Sequence, residues 1–524
     1  MSLFLRSADS LSLGLFANYL GKLVVAFISL LSLPLLYSLL GTEGFGLFGF
    51  FYSIQALMGI MDFGLAGALQ RDMARHAQPN ALQLRRMREQ ISCTEKPVVL
   101  IVLMVMIALT VCAQFLANHW FQVQTIPISV VTECIMFMGL AAGAQLLNAF
   151  YLASLNGLRQ FRKVNILQTT VALIRFPLVL MAAGWMSVYA APIEQMLPRV
   201  FAIWACINVC GACLSRVLLM QNFQRMQSAL PIDWTYLRAS LRFGLSIACT
   251  TVLIMVFNQI DKLVASRSLS LGDFGHYAVI WSITEVLYLF YQPIYTSFLP
   301  IFSAQAALDD PIPTQESFKL AWDCMALATV PVAITLLVAP MEMVWLWTGQ
   351  HEVALLWANN LRWAIGGALL NAFLFIPFAM QQGRGSLFDW VGILCVSLAV
   401  YAPACVWLMH FYGAKVGMAV WAVATLIMVM ALMRKSFYSI KMPNVAVHAS
   451  LSAIKTIFIC GAGAALIYFL WPKTTTRFEC LLLLGLLSCC MYVLALLTQR
   501  ALYLRIRQGF RAWRMRNAAA ASVL

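Results

Sequence analysis

Residues 97–117 read PVVLIVLMVMIALTVCAQFLA, an unbroken run without a charged side chain. A helix that crosses the hydrocarbon core of a bilayer needs about 20 mostly apolar residues, so this run predicts a transmembrane helix. Similar runs recur along a chain that is 62% hydrophobic and only 10% charged. Long continuous runs favour a helical bundle over an outer-membrane barrel, whose strands alternate over short segments.

The apolar runs predict an all-α polytopic membrane protein with about 14 transmembrane helices. A first group of six covers residues 11–40, 45–70, 97–117, 128–155, 166–186 and 200–220. A second group of six covers 243–265, 277–302, 320–338, 354–380, 390–409 and 416–433, and two more helices cover 454–470 and 481–498. We therefore expect an N-terminal bundle at 1–220, a C-terminal bundle at 221–440, two additional helices at 441–498 and a tail at 499–524.

The basic residues predict the orientation, because short loops rich in Lys and Arg stay in the cytoplasm. Six of them lie in the loop at 71–96, whereas the loop at 118–127 has none. This alternation places both termini in the cytoplasm of a bacterial inner (plasma) membrane, with Arg267, Lys473 and Arg477 as exceptions. The arginine-rich tail predicts an amphipathic helix on anionic membrane lipids. Since the bases are spread over loops, the net charge of +15 does not indicate a nucleic-acid partner.

A short repeat links the two groups of helices. Phe45-Gly46-Leu47-Phe48 and Ser53-Ile54 recur as Phe274-Gly275-His276-Tyr277 and Ser282-Ile283, with the same spacing within each copy. Each copy leads into the second helix of its group, and each group has an even number of helices. The pattern therefore predicts two parallel repeats with a site between them, as in many transporters.

Motifs of enzymatic chemistry do not fit their usual context here. Residues 44–49 match GxGxxG, but they open a transmembrane helix and follow no strand. The sequence has no phosphate-binding loop of the Walker type and no HExxH zinc motif, and its six histidines are not clustered. We expect no enzyme activity, no cofactor and no metal site.

Charged residues inside the predicted helices are the informative ones, since each is costly in lipid and normally faces a cavity. Lys22, Arg175 and Arg362 fall near the middle of their helices, and Glu285 is the acid at comparable depth. Asn18 shares a helical face with Lys22. Three bases against one acid predict a cationic cavity for an anionic cargo. The alternative is that Lys22 and Glu285 pair with each other or with helix dipoles as structural contacts.

Two further acids lie near helix ends. Asp62 is close to the predicted cytoplasmic end of the second helix, and Asp261 is close to the outer end of the seventh. Together with Glu285 they are candidates for gating or for carrying a coupling ion. Topology determination and helix capping are the alternative roles for Asp62 and Asp261.

Several motifs resemble a known family. Asn18-Tyr19-Leu20-Gly21-Lys22, Leu33-Pro34-Leu35-Leu36, Gly44-Phe45-Gly46 and Asp62-Phe63-Gly64-Leu65 are similar to the opening of Wzx-type polysaccharide flippases of the multidrug/oligosaccharidyl-lipid/polysaccharide (MOP) exporter superfamily. Asn258-Gln259-Ile260-Asp261-Lys262 resembles the signature of the second half in the same family.

The resemblance implies two helical bundles around a cationic lumen that moves undecaprenyl-diphosphate-linked oligosaccharides from the cytoplasmic to the periplasmic leaflet. Such a flippase serves O-antigen (lipopolysaccharide), capsule or exopolysaccharide biosynthesis, with a polysaccharide polymerase and a chain-length regulator as partners. Two alternatives stay open: a cation-coupled small-molecule or multidrug exporter of the same superfamily, and a lipid II flippase. A polymerase or ligase is disfavoured, because no loop is long enough for a periplasmic catalytic region.

Overall fold

A computed structural model describes the backbone of residues 2–59, 61, 64–74, 81–190, 192–223, 234–306, 312–385, 387–440, 443–471 and 474–499. Within these ranges, side chains are not described at 2–23, 26–27, 81, 239, 242–248, 387, 437–440, 443–444 and 446. The tail at 500–524 lies outside the described residues, and so does its predicted amphipathic helix.

The described chain is helical nearly throughout. Its α-helices are α1 Ser2–Met58, α2 Leu65–Ala74, α3 Ala81–His119, α4 Ile128–Gly157, α5 Phe161–Val188, α6 Ile193–Met220, α7 Trp234–Ser268, α8 Leu271–Thr284, α9 Val286–Gln305, α10 Ile312–Val338, α11 Pro340–Thr348, α12 His351–Gly383, α13 Leu387–Tyr412, α14 Gly417–Ile440, α15 Pro443–Leu470 and α16 Arg477–Thr498. The predicted all-α polytopic fold is confirmed.

Twelve helices of the described chain are long and apolar enough to cross a membrane. They correspond to the predicted spans, and two places need comment. The first two spans both lie within α1 as two helices that join at Gly41, whose backbone is non-helical with a φ of 70°, a value that glycine adopts readily. The eighth span, predicted at 277–302, is divided between α8 and α9 by a turn at Glu285. The estimate of about 14 spans is consistent with this arrangement once the two halves of α1 and the α8–α9 pair are counted.

Both helices that carry the repeat are interrupted. The second half of α1 ends at Met58, and α2 begins at Leu65. The corresponding helix α8 ends at Thr284, and α9 begins at Val286. Interrupted membrane helices expose backbone polar groups that a cavity or a neighbouring chain must satisfy, so they commonly mark transport sites.

The two copies of the repeat contact each other at equivalent residues. A Cβ on Gly46 would overlap the carbonyl oxygen of Leu271, and a Cβ on Gly275 would overlap the carbonyl oxygen of Thr42. The distance from the added Cβ of either glycine to the backbone nitrogen of the other is 3.2 Å. Thr42 and Leu271 occupy equivalent positions in the two copies, as do Gly46 and Gly275. The contact is therefore reciprocal, as at a pseudo-twofold axis, and it requires glycine at both positions.

The helix pair continues this close approach one turn further. A Cβ on Gly49 would overlap that of Ala278, which is its equivalent in the second copy of the repeat. Small residues at such spacing let two helix backbones approach more closely than larger side chains permit. We call the contact formed by Thr42, Gly46, Gly49 and their equivalents Leu271, Gly275 and Ala278 the repeat crossing.

A buried carboxylate fixes the loop beside the repeat crossing. Glu43 accepts backbone hydrogen bonds from Gln124 (2.8 Å), Thr125 (3.1 Å) and Ile126 (3.0 Å), and the Thr125 hydroxyl donates at 2.7 Å. The same loop reaches the second copy of the repeat, because the backbone nitrogen of Leu271 donates to the Gln122 oxygen at 2.9 Å. The loop between α3 and α4 thus ties the starts of both copies together.

Glu43→Gln should destabilise the protein, because the amide NH2 of glutamine would face backbone donors that need an acceptor. Loss of charge-assisted hydrogen bonds and exposure of unsatisfied donors costs about 1–3 kcal/mol. We expect a lower midpoint of thermal unfolding for the purified protein in detergent. Glu194→Gln, at an exposed position in the first turn of α6, is the control and should leave the midpoint unchanged. Equal midpoints for the wild type and Glu43→Gln would contradict this role.

The chain forms two compact units. One contains residues 1–279 and 409–414, and the other contains 280–408 and 415–524. In the first unit α4 packs on α6 and α3, and α1 packs on α5; in the second α12 packs on α14 and α9, and α10 packs on α15. The division expected from the sequence, with bundles at 1–220 and 221–440, remains a prediction.

Candidate functional site

Arg175 lies at the middle of α5, where the sequence places a charge inside a membrane helix. Its Nη1 donates to Oδ1 of Asn208 on α6 at 3.3 Å. The amide nitrogen of Asn208 donates in turn to the carbonyl oxygen of Ala141 on α4 at 3.1 Å. A chain of hydrogen bonds across three helices therefore orients the guanidinium.

Aromatic rings hold the same guanidinium from the side. Its Cζ lies 4.5 Å from the ring centroid of Trp204 and 5.1 Å from that of Phe176. Trp204 is 1% exposed, and Phe48 packs edge-on against it at 5.0 Å. A planar cation over aromatic faces is stabilised electrostatically, and the packed rings leave it little rotational freedom.

Among the described side chains, none neutralises the charge of Arg175. No described acidic side chain forms an ion pair with it, and its Nε is buried without a hydrogen-bond acceptor. A cation inside the membrane is costly, and it normally pairs with an acid or faces the path of a substrate or ion. Because no described acidic side chain pairs with Arg175, the geometry favours an anion as the partner of its guanidinium.

Asp261 is fully buried on α7 and accepts a hydrogen bond at 2.6 Å from the Tyr277 hydroxyl of α8. Its Oδ1 accepts no hydrogen bond from the described residues, and the Lys262 ammonium lies 3.9 Å away from this oxygen. The Lys262 ammonium also donates to the carbonyl oxygen of Asn258, one turn earlier on α7, at 2.6 Å.

Arg362 is on α12, and its side chain is exposed. Its Nε donates to the carbonyl oxygen of Leu337 at 3.3 Å, in the last turn of α10. A cation at the C-terminal end of a helix interacts favourably with the free carbonyl groups and the helix dipole. Arg362 therefore contacts the end of a neighbouring helix, whereas Arg175 contacts side chains of α5 and α6.

Glu285 lies in the turn between α8 and α9. Its backbone nitrogen donates to the oxygen of Trp281 at 3.0 Å, and its side chain is exposed. Ser282 lies in α8 and Gln292 and Thr296 lie in α9, so the turn at Glu285 stands between these polar residues.

The remaining predicted residues cannot be compared with the structure. Asn18 and Lys22 are on α1, but their side chains lie outside the described residues, as does Asp62. Among the side chains that are described, no group of three or more His, Cys, Asp and Glu residues is placed to hold a metal ion.

Sequence reasoning missed the residues that orient Arg175. Asn208 is a polar residue within the predicted helix at 200–220, and Trp204 lies one turn before it on the same helical face. A polar residue and a tryptophan one turn apart on the same face of this helix could have indicated a contact with a buried charge. Only the packing of α5 against α6 shows that this charge is Arg175.

A family model, described as polysaccharide biosynthesis protein, matches residues 12–306. The chain belongs to this family. No curated protein shows significant sequence similarity to it. The matched segment contains Arg175, Asp261 and both copies of the repeat.

Solved structures show which fold the family member adopts. An inward closed conformation of the lipid II flippase MurJ is similar with a TM-score of 0.66 at 14% identity, covering 94% of this chain and 99% of that one. An inward-facing multidrug resistance MATE family transporter of the MOP superfamily has a TM-score of 0.62 at 12% identity, covering 82% and 96%. A MOP superfamily transporter from Pyrococcus furiosus Vc1 has a TM-score of 0.55 at 12% identity, covering 83% and 94%.

These solved structures show the fold: the chain is a multi-pass helical membrane protein that shares the architecture of the MurJ flippase and the MATE transporters. The expectation that the chain is not an enzyme agrees with these neighbours, which are described as a flippase and transporters.

Proposed function

We propose that the protein is a Wzx-type flippase that moves undecaprenyl-diphosphate-linked oligosaccharides from the cytoplasmic to the periplasmic leaflet of a bacterial inner membrane. The cargo would serve O-antigen, capsule or exopolysaccharide biosynthesis, with a polymerase and a chain-length regulator as partners. The observation that carries the proposal is the guanidinium of Arg175, which is oriented by its neighbours and pairs with none of the described acidic side chains.

The chemistry of the cargo matches this observation. A diphosphate and its sugars would lose their hydration in the hydrocarbon core, and this desolvation has a large free-energy cost. A protein that moves them across the membrane must therefore provide polar or charged groups that replace the lost water. Arginine forms short, charge-assisted hydrogen bonds with phosphate oxygens, and its planar donors suit bidentate contacts. Arg175 would replace water around the diphosphate, with Lys22, Asn18 and Arg362 as further donors in a cationic cavity.

Membership of the polysaccharide biosynthesis protein family supports this cargo over a cationic drug. The alternative functions are a small-molecule or multidrug exporter and a lipid II flippase. Lipid II is also a diphosphate-linked lipid, so an arginine site would suit it equally. A cationic drug would find no acid beside Arg175 among the described side chains.

A strain that lacks the gene provides the test. We expect diphosphate-linked oligosaccharide to accumulate on the cytoplasmic leaflet, and plasmid-borne wild-type protein to restore the surface polysaccharide. The proposal would be refuted if the deletion strain made normal surface polysaccharide but no longer exported a toxic cation. That result would indicate a drug exporter. Accumulation of lipid II in place of the oligosaccharide lipid would assign the protein to cell-wall synthesis.

Coupling to an ion gradient is the second part of the proposal, with Asp261 as the carrier and Asp62 and Glu285 as further candidates. Asp261→Asn keeps the size of the side chain and an acceptor for Tyr277 but removes the charge. We expect transport by this variant to become insensitive to a proton or sodium gradient while cargo binding persists. Asp389→Asn is the matched control, since Asp389 pairs with Lys435 at 3.2 Å on half-exposed side chains. An unchanged gradient dependence in Asp261→Asn would remove Asp261 from this role.

A further inference from the structure

A second set of polar side chains joins α10 to the two C-terminal helices. Both carboxylate oxygens of Asp323 on α10 lie 3.2 Å from Nε2 of His448 on α15. The Ser452 hydroxyl donates a hydrogen bond to Oδ1 of Asp323 at 2.6 Å. Ser452 accepts from the amide of Gln499 at 2.8 Å, and the same amide donates to Thr456 at 3.1 Å. We call these five residues the Asp323 network.

The Asp323 network is placed where water can supply protons. His448 is close to the start of α15, roughly 7.5 Å along the helix from its predicted cytoplasmic end. Its side chain is 39% exposed and that of Asp323 is 17% exposed, whereas Thr456 and Gln499 are buried. The network therefore extends from an accessible imidazole into the packed interface of α10, α15 and α16.

We propose that Asp323 and His448 form a proton-binding site that fastens α15 and α16 to α10. Imidazole is the side chain whose charge ordinarily changes near neutral pH. Proton uptake by neutral His448 beside the Asp323 carboxylate gives the donor a positive charge, so a hydrogen bond with one charged partner becomes an imidazolium–carboxylate ion pair with two. Chains of Asp and His residues within membrane helices commonly serve as proton relays.

Other charged and titratable residues lie on the helices around the pair. On α10, α14, α15 and α16, those with described side chains are Glu316, Lys319, Cys324, Arg434, Lys435, Lys455, Cys460, Tyr468, Arg477, Glu479, Cys480, Cys489, Cys490 and Tyr492. Histidine is the residue type whose charge ordinarily changes between about pH 6 and about pH 8. The pH dependence near neutrality is therefore assigned to His448.

The test compares thermal unfolding of the full-length protein in detergent at about pH 6 and about pH 8, which bracket the ordinary titration of histidine. His448→Gln retains a donor for Asp323 but cannot become charged. We expect its unfolding midpoint to lie several degrees below that of the wild type at the lower pH and to match it at the higher pH. His410→Gln, at an exposed position in the last turn of α13, is the control and should follow the wild type at both.

Ser452→Ala separates proton binding from packing, since it removes one partner of the same carboxylate without changing the ion pair. Its midpoint should fall by the same amount at both pH values. A deficit of His448→Gln that is equal at the two pH values, or absent at both, would overturn the proposal and leave a contact of purely structural value. The measurement uses no cargo, so its result is independent of the proposed function.

Discussion

Arg175→Ala is expected to reduce transport of the lipid-linked oligosaccharide by roughly 10- to 100-fold, because hydrogen bonds to charged groups contribute about 1.5–3 kcal/mol. The loss should be largest in the apparent affinity for the cargo. Arg175→Lys should retain part of the activity, since lysine keeps the charge but loses the planar stacking on Trp204. Complementation of a deletion strain, followed by quantification of surface polysaccharide, measures both effects.

Arg384→Ala is the matched control for this prediction. Arg384 is an exposed arginine in the turn after α12, and it should be dispensable for transport. Comparison of protein levels in the membrane excludes misfolding as the cause of a loss. Full complementation by Arg175→Ala would contradict the assignment of Arg175 to the cargo site. Arg175 would then serve only as a structural contact between α5 and α6.

Gly46→Leu is expected to abolish activity through the repeat crossing. Even the first carbon of the new side chain would overlap the Leu271 carbonyl oxygen, so the two helices would have to separate. Overpacking of this kind typically costs about 1–3 kcal/mol and often displaces backbone. We expect a lower unfolding midpoint, together with faster labelling of a cysteine placed at Thr42 by a membrane-impermeant maleimide. Faster labelling would show that the crossing had opened.

Gly485→Leu controls for glycine substitution itself. Gly485 is an exposed helical residue of α16 with open space where a side chain would extend. It should keep both stability and transport. A Gly46→Leu variant with wild-type stability, transport and labelling would show that the repeat crossing is not close-packed in the membrane.

Much of the fold could be predicted because membrane helices are visible in the sequence as continuous apolar runs. The repeated motif also located Gly46 and Gly275 as equivalent positions, although not their contact. Hydropathy could not predict the turn at Glu285, since the residues on both sides are apolar and the interruption is a matter of backbone conformation. The break near Gly41, by contrast, follows from the two apolar runs at 11–40 and 45–70 that it separates.

The candidate site was less predictable. The charge of Arg175 was evident from its place in an apolar run, but its orientation depends on Asn208 and Trp204 of another helix. Arg362 met the same sequence criterion, yet it contacts the end of α10. Depth along a helix can be counted from the sequence, whereas the direction of a side chain around the helix depends on neighbours that only packing reveals.

Reconstitution of the purified protein in liposomes tests the central claim most directly. The vesicles would carry an undecaprenyl-diphosphate oligosaccharide, and a membrane-impermeant glycosidase added outside would report the fraction in the outer leaflet. We predict that wild-type protein makes the inner-leaflet pool accessible, while Arg175→Ala does so roughly 10- to 100-fold more slowly. An inner pool that stays protected with wild-type protein in both orientations of an imposed gradient would contradict the account.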